Sequence, residues 1–154
     1  MSALTQQKVR VTKHFVIDMA HALYGYDGPC KNIHGHTYHL EVTVTGYPIT
    51  DETDVKNGMV IDFAQLKEIV NQHVVHLYDH ALVLNQFAPY AQEEGVTSQF
   101  EKVILVPYQP TCENLMLSFL EKIRHLLPAG TTLIAMILRE TPTSYAEWRL
   151  EDQA

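Results

Sequence analysis

Residues 36–46, His36-Thr37-Tyr38-His39-Leu40-Glu41-Val42-Thr43-Val44-Thr45-Gly46, alternate without a break. Tyr38, Leu40, Val42 and Val44 share one phase, and Thr37, His39, Glu41, Thr43 and Thr45 share the other. A period of two carried by aromatic, β-branched and Leu residues predicts a strand buried on one face. Upstream, residues 9–17 repeat the pattern, with Val9, Val11, Phe15 and Ile17 opposed to Arg10, Thr12 and His14. The turn-rich stretch Tyr24-Gly25-Tyr26-Asp27-Gly28-Pro29 separates the two.

Downstream the period changes. Beyond a polar segment from Pro48 to Gly58, residues Phe63, Leu66, Ile69, Val70, His73, Val74 and Leu77 recur at helical spacing. Asp62 is placed to cap that helix, and Gln65 three residues on suggests a capping box. Residues 86–101 read as a long loop and Lys102 to Tyr108 as a short strand or extended piece. Thr111, after Pro110, suits the cap of a second helix whose stripe is Leu115, Met116, Phe119, Leu120, Ile123 and Leu127. Pro128-Ala129-Gly130 ends it. Thr132 to Glu140 reads as a strand apolar in both phases, and Tyr145 to Leu150 as a last short one. This order predicts an α+β fold, one domain over residues 1–154, built as a four-stranded antiparallel sheet with two helices on one face. Such a sheet has two edges to be paired or blunted, and pairing with a neighbouring subunit is one solution.

The composition agrees with an ordinary folded domain: 154 residues, 46% apolar and 19% charged. No apolar run approaches the roughly 18 residues needed to span a membrane. The formal charge of −7 argues against a general nucleic-acid binder, whose counterion-release binding needs a basic face. Two cysteines, Cys30 and Cys112, make no disulfide framework, and no signal-peptide pattern opens the chain, so a reducing cytoplasm is the expected location.

Nine histidines stand against 11 Lys and Arg together. His34 and His36 enter the strand in the phase of Tyr38, so both imidazoles leave one face with Cα atoms roughly 6.5 Å apart, close enough to converge on one ion. His21, just after the first strand, becomes a third ligand if the two strands pair. Three histidines with an open fourth position describe a catalytic zinc site, whereas a structural site is closed by four protein ligands. Two hydrogen-bonded histidines at a strand end would leave the same trace in the sequence.

The motifs resolve further by resemblance. His21-Ala22-Leu23 and Cys30-Lys31-Asn32-Ile33-His34-Gly35-His36-Thr37-Tyr38 resemble the zinc and nucleophile region of the 6-pyruvoyl tetrahydropterin synthase and 6-carboxytetrahydropterin synthase family. Val60-Ile61-Asp62-Phe63, Asp79-His80, Pro110-Thr111-Cys112-Glu113-Asn114-Leu115 and Arg139-Glu140-Thr141 follow in the family's order, and the match runs from about residue 9 to 149. The resemblance implies the tunnelling fold, ββααββ, in subunits that join edge to edge into trimeric barrels and stack as hexamers, with sites at subunit interfaces. It implies Zn2+ held by His21, His34 and His36, and Cys30 as the base that takes a proton from the substrate side chain. It also implies His80, paired with Asp79, as the other proton carrier, Glu140 as the anchor of the pterin ring, and Thr111 and Glu113 as lesser substrate contacts.

The implied substrate is 7,8-dihydroneopterin triphosphate, whose side-chain hydroxyls can meet zinc in its open position, where a Lewis acid acidifies the adjacent C–H. One branch of the family eliminates triphosphate and leaves a pyruvoyl side chain. The other also cleaves a carbon–carbon bond, releases acetaldehyde and makes 6-carboxy-5,6,7,8-tetrahydropterin for queuosine and related deazapurines. The three residues between Cys30 and His34 resemble the compact spacing of the carboxy branch, which the resemblance therefore favours. A non-catalytic pterin-binding module is the contrasting class, and it would leave Cys30 and His80 without a task. A polyphosphate substrate on an acidic chain calls for a local basic patch.

Other residues admit blander readings. His39 lies in the polar phase and His73 on the apolar stripe. His76 and His80 form an i, i+4 pair if the first helix continues, which with Asp79 would make a second metal site. Cys112 at a helix start is either a packing residue or a thiol with a depressed pKa. The stretch Asn85 to Gln109 is longer than compact family members carry, and it is a lid, an altered pocket or a surface excursion. His14 and His125 carry no signal.

Overall fold

The computed structural model describes residues 6–154, apart from the side chain of Val96. The two alternating segments form β1 (Val9–His21) and β2 (His34–Gly46), a long antiparallel pair. Its register matches the buried phases, with Phe15 opposite Leu40 and Ile17 opposite Tyr38, and it ends with Met19 opposite His36 and His21 opposite His34. His21 is therefore the last residue of β1 rather than a residue beyond it. A one-residue slip would turn every apolar side chain to solvent, so the alternation also fixes where the histidines meet.

The first helix begins at α1 (Phe63–Val70), widens into a π-helical stretch over Asn71–Val75 and finishes as a last turn, α2 (His76–Tyr78). Asp62 caps it by accepting from the Ala64 amide at 2.8 Å, a simple cap rather than the expected box with Gln65. Extended backbone at Asp79 stops the helix, so His76 and His80 never stack as an i, i+4 pair. The long stretch before the second helix contains β3 (Leu82–Asn85), a 3-10 turn at Pro89–Gln92, the short α3 (Glu94–Thr97) and β4 (Val103–Val106). The second helix, α4 (Cys112–Ile123), starts on Thr111, whose Oγ1 accepts from the Asn114 amide at 3.2 Å. The chain closes with β5 (Thr131–Thr141) and β6 (Ser144–Arg149). Gly130 turns into β5 at φ +84°, a left-handed conformation that glycine adopts without strain.

The strands make one six-stranded mixed sheet in the order β4-β3-β1-β2-β5-β6, not the four-stranded antiparallel sheet expected from the periodicity. The two additional strands run parallel to β1 and to one another. β3 escapes sequence reading for a physical reason. Leu82, Val83 and Leu84 are all buried, so the strand has no solvent face and shows no alternation.

One face of the sheet carries the helices. Ile17, Tyr38, Leu40, Val42, Met136 and Leu138 pack with Leu66, Val70, Val74, Leu115, Phe119 and Ile123 in a single core. Each such side chain, fully buried, contributes about 1.5–3 kcal/mol. No described helix is long and apolar enough to cross a membrane.

Candidate active site around three histidines

The β1–β2 ladder delivers His21, His34 and His36 to one corner of the sheet, with one ring nitrogen from each within 4.8 Å of the others. The backbone orients two of them. His21 Nδ1 donates to the Pro110 carbonyl at 2.7 Å and His34 Nδ1 to the Asn32 carbonyl at 2.8 Å. A carbonyl oxygen can only accept, so in the neutral rings both Nε2 atoms carry lone pairs, and these two face one another at 3.0 Å. Lone pairs so opposed repel unless a cation lies between them. Donors sharing a tetrahedral zinc at about 2.0–2.1 Å lie about 3.3 Å apart, and the His21–His34 pair comes within a few tenths of an ångström of that spacing. Burial holds the His21 imidazole below its usual pKa, with the neighbouring His34 and His36 acting in the same direction, which favours the neutral, ligating form. Carbonyl anchors on the far nitrogens are the usual outer support of metal-binding histidines.

Glu140, near the end of β5, turns into the same corner. Its Oε1 lies 3.5 Å from His21 Nε2 and 3.6 Å from His36 Nε2, and it accepts from the Tyr38 hydroxyl at 3.1 Å. Glu140 is half-buried, and the Tyr38 hydroxyl gives its carboxylate a donor inside the chain. Sequence reasoning treated Tyr38 only as a core residue, although it shares the phase of His34 and His36 and so had to lie beside them.

Asp79 and His80 follow the first helix. His80 Nδ1 donates to Asp79 Oδ2 at 2.9 Å, and Asp79 Oδ1 accepts from the Asp18 amide at 2.9 Å. The His80 amide donates to the Asp18 carbonyl at 2.6 Å, which pins the pair to β1, and His80 itself sits at φ +61°. That left-handed conformation is uncommon for a residue with a Cβ and turns the chain sharply between helix and strand. Burial pushes the Asp79 carboxyl up, but the Asp18 amide, His80 and Lys102 outweigh it and hold it below the usual carboxylate range.

His80 and His36 line a common cleft of about 400 Å³ with Asp18, Gly35 and Thr37. A neighbouring cleft of about 580 Å³ shares Gly35, His36 and Thr37 and adds Glu140, Arg139, His14, His39 and Glu41. Gly35, between His34 and His36, thus opens onto both. Arg139, stacked on Tyr145 at 4.5 Å, is a strong cation in the second cleft, with Glu41 opposing it there. The long stretch before α4 also reaches the site, because Phe100, Glu101 and Lys102 wall a third cleft of about 820 Å³ with Asp79 and His80.

The remaining candidates are spread more widely. Cys30 is half-buried on the 3-10 turn Pro29–Lys31, and its carbonyl accepts from the Leu23 amide at 2.9 Å. Thr111 is next to Pro110, the His21 anchor, but its hydroxyl is occupied as the α4 cap. Glu113 is exposed on the first turn of α4. Cys112 is buried and donates to the Leu138 carbonyl at 3.1 Å, and burial pushes its thiol up to about 11, which makes it a packing residue. Among the described residues, His21, His34 and His36 are the group disposed to hold a metal, and no second site forms at His76.

Similarity to known proteins follows the same residues. A family profile described as 6-pyruvoyl tetrahydropterin synthase matches residues 10–151. A Haemophilus influenzae protein named 6-carboxy-5,6,7,8-tetrahydropterin synthase is 33% identical over 144 residues, covering 91% of this chain and 98% of that one. Among solved structures, an uncharacterized protein of Wolinella succinogenes superposes with a TM-score of 0.76 at 18% identity, covering 94% of this chain and 99% of its own. The 6-pyruvoyl tetrahydropterin synthase of Caenorhabditis elegans does so with a TM-score of 0.66 at 23% identity, covering 96% and 99%; both likenesses are of fold. With a profile match spanning both halves of the histidine corner and reaching all six strands of the sheet, the chain belongs to the 6-pyruvoyl tetrahydropterin synthase family.

Proposed function

We propose that this chain is a zinc-dependent lyase that converts 7,8-dihydroneopterin triphosphate to 6-carboxy-5,6,7,8-tetrahydropterin, with release of acetaldehyde and triphosphate. The observation that carries the reading is the pair of carbonyl-anchored imidazoles with opposed Nε2 lone pairs, joined by His36 in clefts that also hold Glu140 and His80. The name of the Haemophilus relative and the compact Cys30-to-His34 spacing favour the carboxy product over the pyruvoyl one.

His21, His34 and His36 would hold the metal. Zinc there would supply Lewis acidity that polarises the substrate's side-chain oxygens. Cys30, on the turn leading into β2, takes the side-chain proton. His80 is tied through Nδ1 to Asp79, which leaves Nε2 as its working nitrogen in the cleft it shares with His36. Glu140 keeps one carboxylate oxygen on Tyr38 and offers the other to donors on the pterin edge, while Thr111 and Glu113 contact the ring from the start of α4. Arg139 is the cation in the cleft it shares with His36 and Glu140, and it is available to the triphosphate. The unpaired edges, β4 and β6, are where subunits would join into a barrel with the sites between them.

The test is incubation of the zinc-loaded protein with 7,8-dihydroneopterin triphosphate, followed by assay of acetaldehyde and identification of the pterin. Acetaldehyde in step with triphosphate is expected, and it should disappear on chelation of the metal and return with zinc. A pyruvoyl pterin without acetaldehyde would move the chain to the other branch, and no turnover with one zinc per chain would reduce it to a pterin-binding module.

A further inference from the structure

We infer that Glu140 is a fourth donor to the three-histidine site, closing it before substrate arrives, and that Tyr38 is the positioning residue that keeps it there. This rests on His21, His34 and His36 being metal ligands and goes beyond the role of a pterin anchor. Glu140 Oε1 lies 3.5 Å from His21 Nε2 and 3.6 Å from His36 Nε2. His21 Nε2 carries no proton, because Nδ1 has spent the ring's one proton on Pro110, so the first contact is lone pair against lone pair rather than a hydrogen bond. Atoms that share a tetrahedral zinc lie about 3.3 Å apart, and Oε1 comes within a few tenths of an ångström of that spacing from two of the three nitrogens.

Tyr38 makes this placement obligatory. Its side chain has no exposed surface, and its hydroxyl reaches Glu140 Oε1 at 3.1 Å while lying 3.4 and 3.5 Å from the two nitrogens of His21. A phenol with its ring locked in the core cannot follow a carboxylate that swings away, so it selects the inward rotamer of Glu140. The same corner thus presents four protein donors at rest. With a metal held there, Oε1 would occupy the position that a substrate oxygen needs, and Tyr38 would keep the carboxylate at the same corner when substrate binds.

Cobalt(II) uptake and zinc competition against a chromophoric chelator test this without turnover. The Co2+-loaded wild-type protein should give a visible band whose position and intensity change in Glu140→Ala and in Tyr38→Phe. Zinc affinity should fall about tenfold or more in Glu140→Ala and by a smaller factor in Tyr38→Phe, within the range known for loss of metal-supporting groups. Glu140→Gln preserves side-chain shape and answers the question if the alanine variant does not fold: a changed band supports the proposal and an unchanged one overturns it. A cobalt band and zinc affinity in Glu140→Ala equal to those of the wild type would remove Glu140 from the donor set. A wild-type chain that takes up neither metal would instead overturn the reading of the histidines themselves.

Discussion

Replacing Asp79 by Asn separates what the Asp79–His80 pair does for the fold from what it does for the reaction. The carboxylate accepts two hydrogen bonds on different oxygens, one from the Asp18 amide at 2.9 Å and one from His80 Nδ1 at 2.9 Å. An amide has one acceptor oxygen. If that oxygen stays on the Asp18 amide, the NH2 faces His80 Nδ1, and the ring can accept it only by moving its proton to Nε2. The nitrogen left for the reaction then carries a proton at the outset and cannot take one up. If the amide turns the other way, the Asp18 amide loses its acceptor, a cost of about 1 kcal/mol at a site open to solvent. The Asp79 side chain is 37% exposed, so its charge adds little beyond these bonds.

The expected pattern is therefore a small loss of stability and a large loss of rate. Melting should fall by about 2–4 °C, the shift that about 1 kcal/mol produces in a chain of this length. Turnover should fall about 10²- to 10³-fold, in the range that a positioned proton carrier contributes. Because Asp79 is held below its usual pKa when folded, its stabilisation is complete above the unfolded value of about 3.9 and is lost as pH falls through the folded one. The melting difference between wild type and Asp79→Asn should be present at pH 7 and shrink below about pH 4. Turnover is read at saturating substrate with zinc content matched, and the His80 tautomer by nitrogen-15 NMR. Turnover within threefold of wild type alongside a flipped His80 tautomer would refute the assignment of His80 as the proton carrier.

Two further outcomes follow from the geometry. Thr111→Ala should cost about 1 kcal/mol through loss of the α4 cap, while Thr111→Ser restores melting; if Thr111 also touches substrate, the alanine variant raises KM beyond what its stability explains. Cys112, with its thiol pushed up to about 11, carries about one part in 10³ of thiolate at pH 8, so a thiol reagent should label Cys30 in the native protein and Cys112 only after unfolding, and equal labelling of Cys112 in both states would contradict its burial.

Where one face of an element meets water, the chain spells out its structure. β1 and β2 alternate, α1 and α4 show their stripes, and each of these was legible, together with the phase that puts His34, His36 and Tyr38 on one side. Where an element has no solvent face the signal vanishes. β3 lies between β1 and β4 with Leu82, Val83 and Leu84 all buried, and without it the extended piece that holds β4 had no neighbour to join, so a six-stranded mixed sheet was read as a four-stranded one. The π-helical stretch at Asn71–Val75 was equally silent, because its apolar residues keep a spacing close enough to helical to pass for it.

The site was legible for its histidines and illegible for what orients them, and the reason is chemical. A ligating imidazole announces itself by residue type and spacing. Its support comes from the carbonyls of Pro110 and Asn32, and every residue has a carbonyl, so nothing in the residue type marks these two. The same holds for Asp18, which serves His80 through its backbone amide and carbonyl while its own carboxylate is spent accepting from Thr37 at 2.6 Å. Tyr38 is the instructive case between these extremes. Strand period gives it the same face as His34 and His36, and a fully buried phenol must place its hydroxyl somewhere. Those two facts together required a polar partner at the histidine corner, and Glu140 on the neighbouring strand was the candidate one step beyond the pairing of His39 with Arg139. A buried tyrosine in phase with a pair of metal-spaced histidines is thus a readable sign of a further polar group at the site, ahead of any structure.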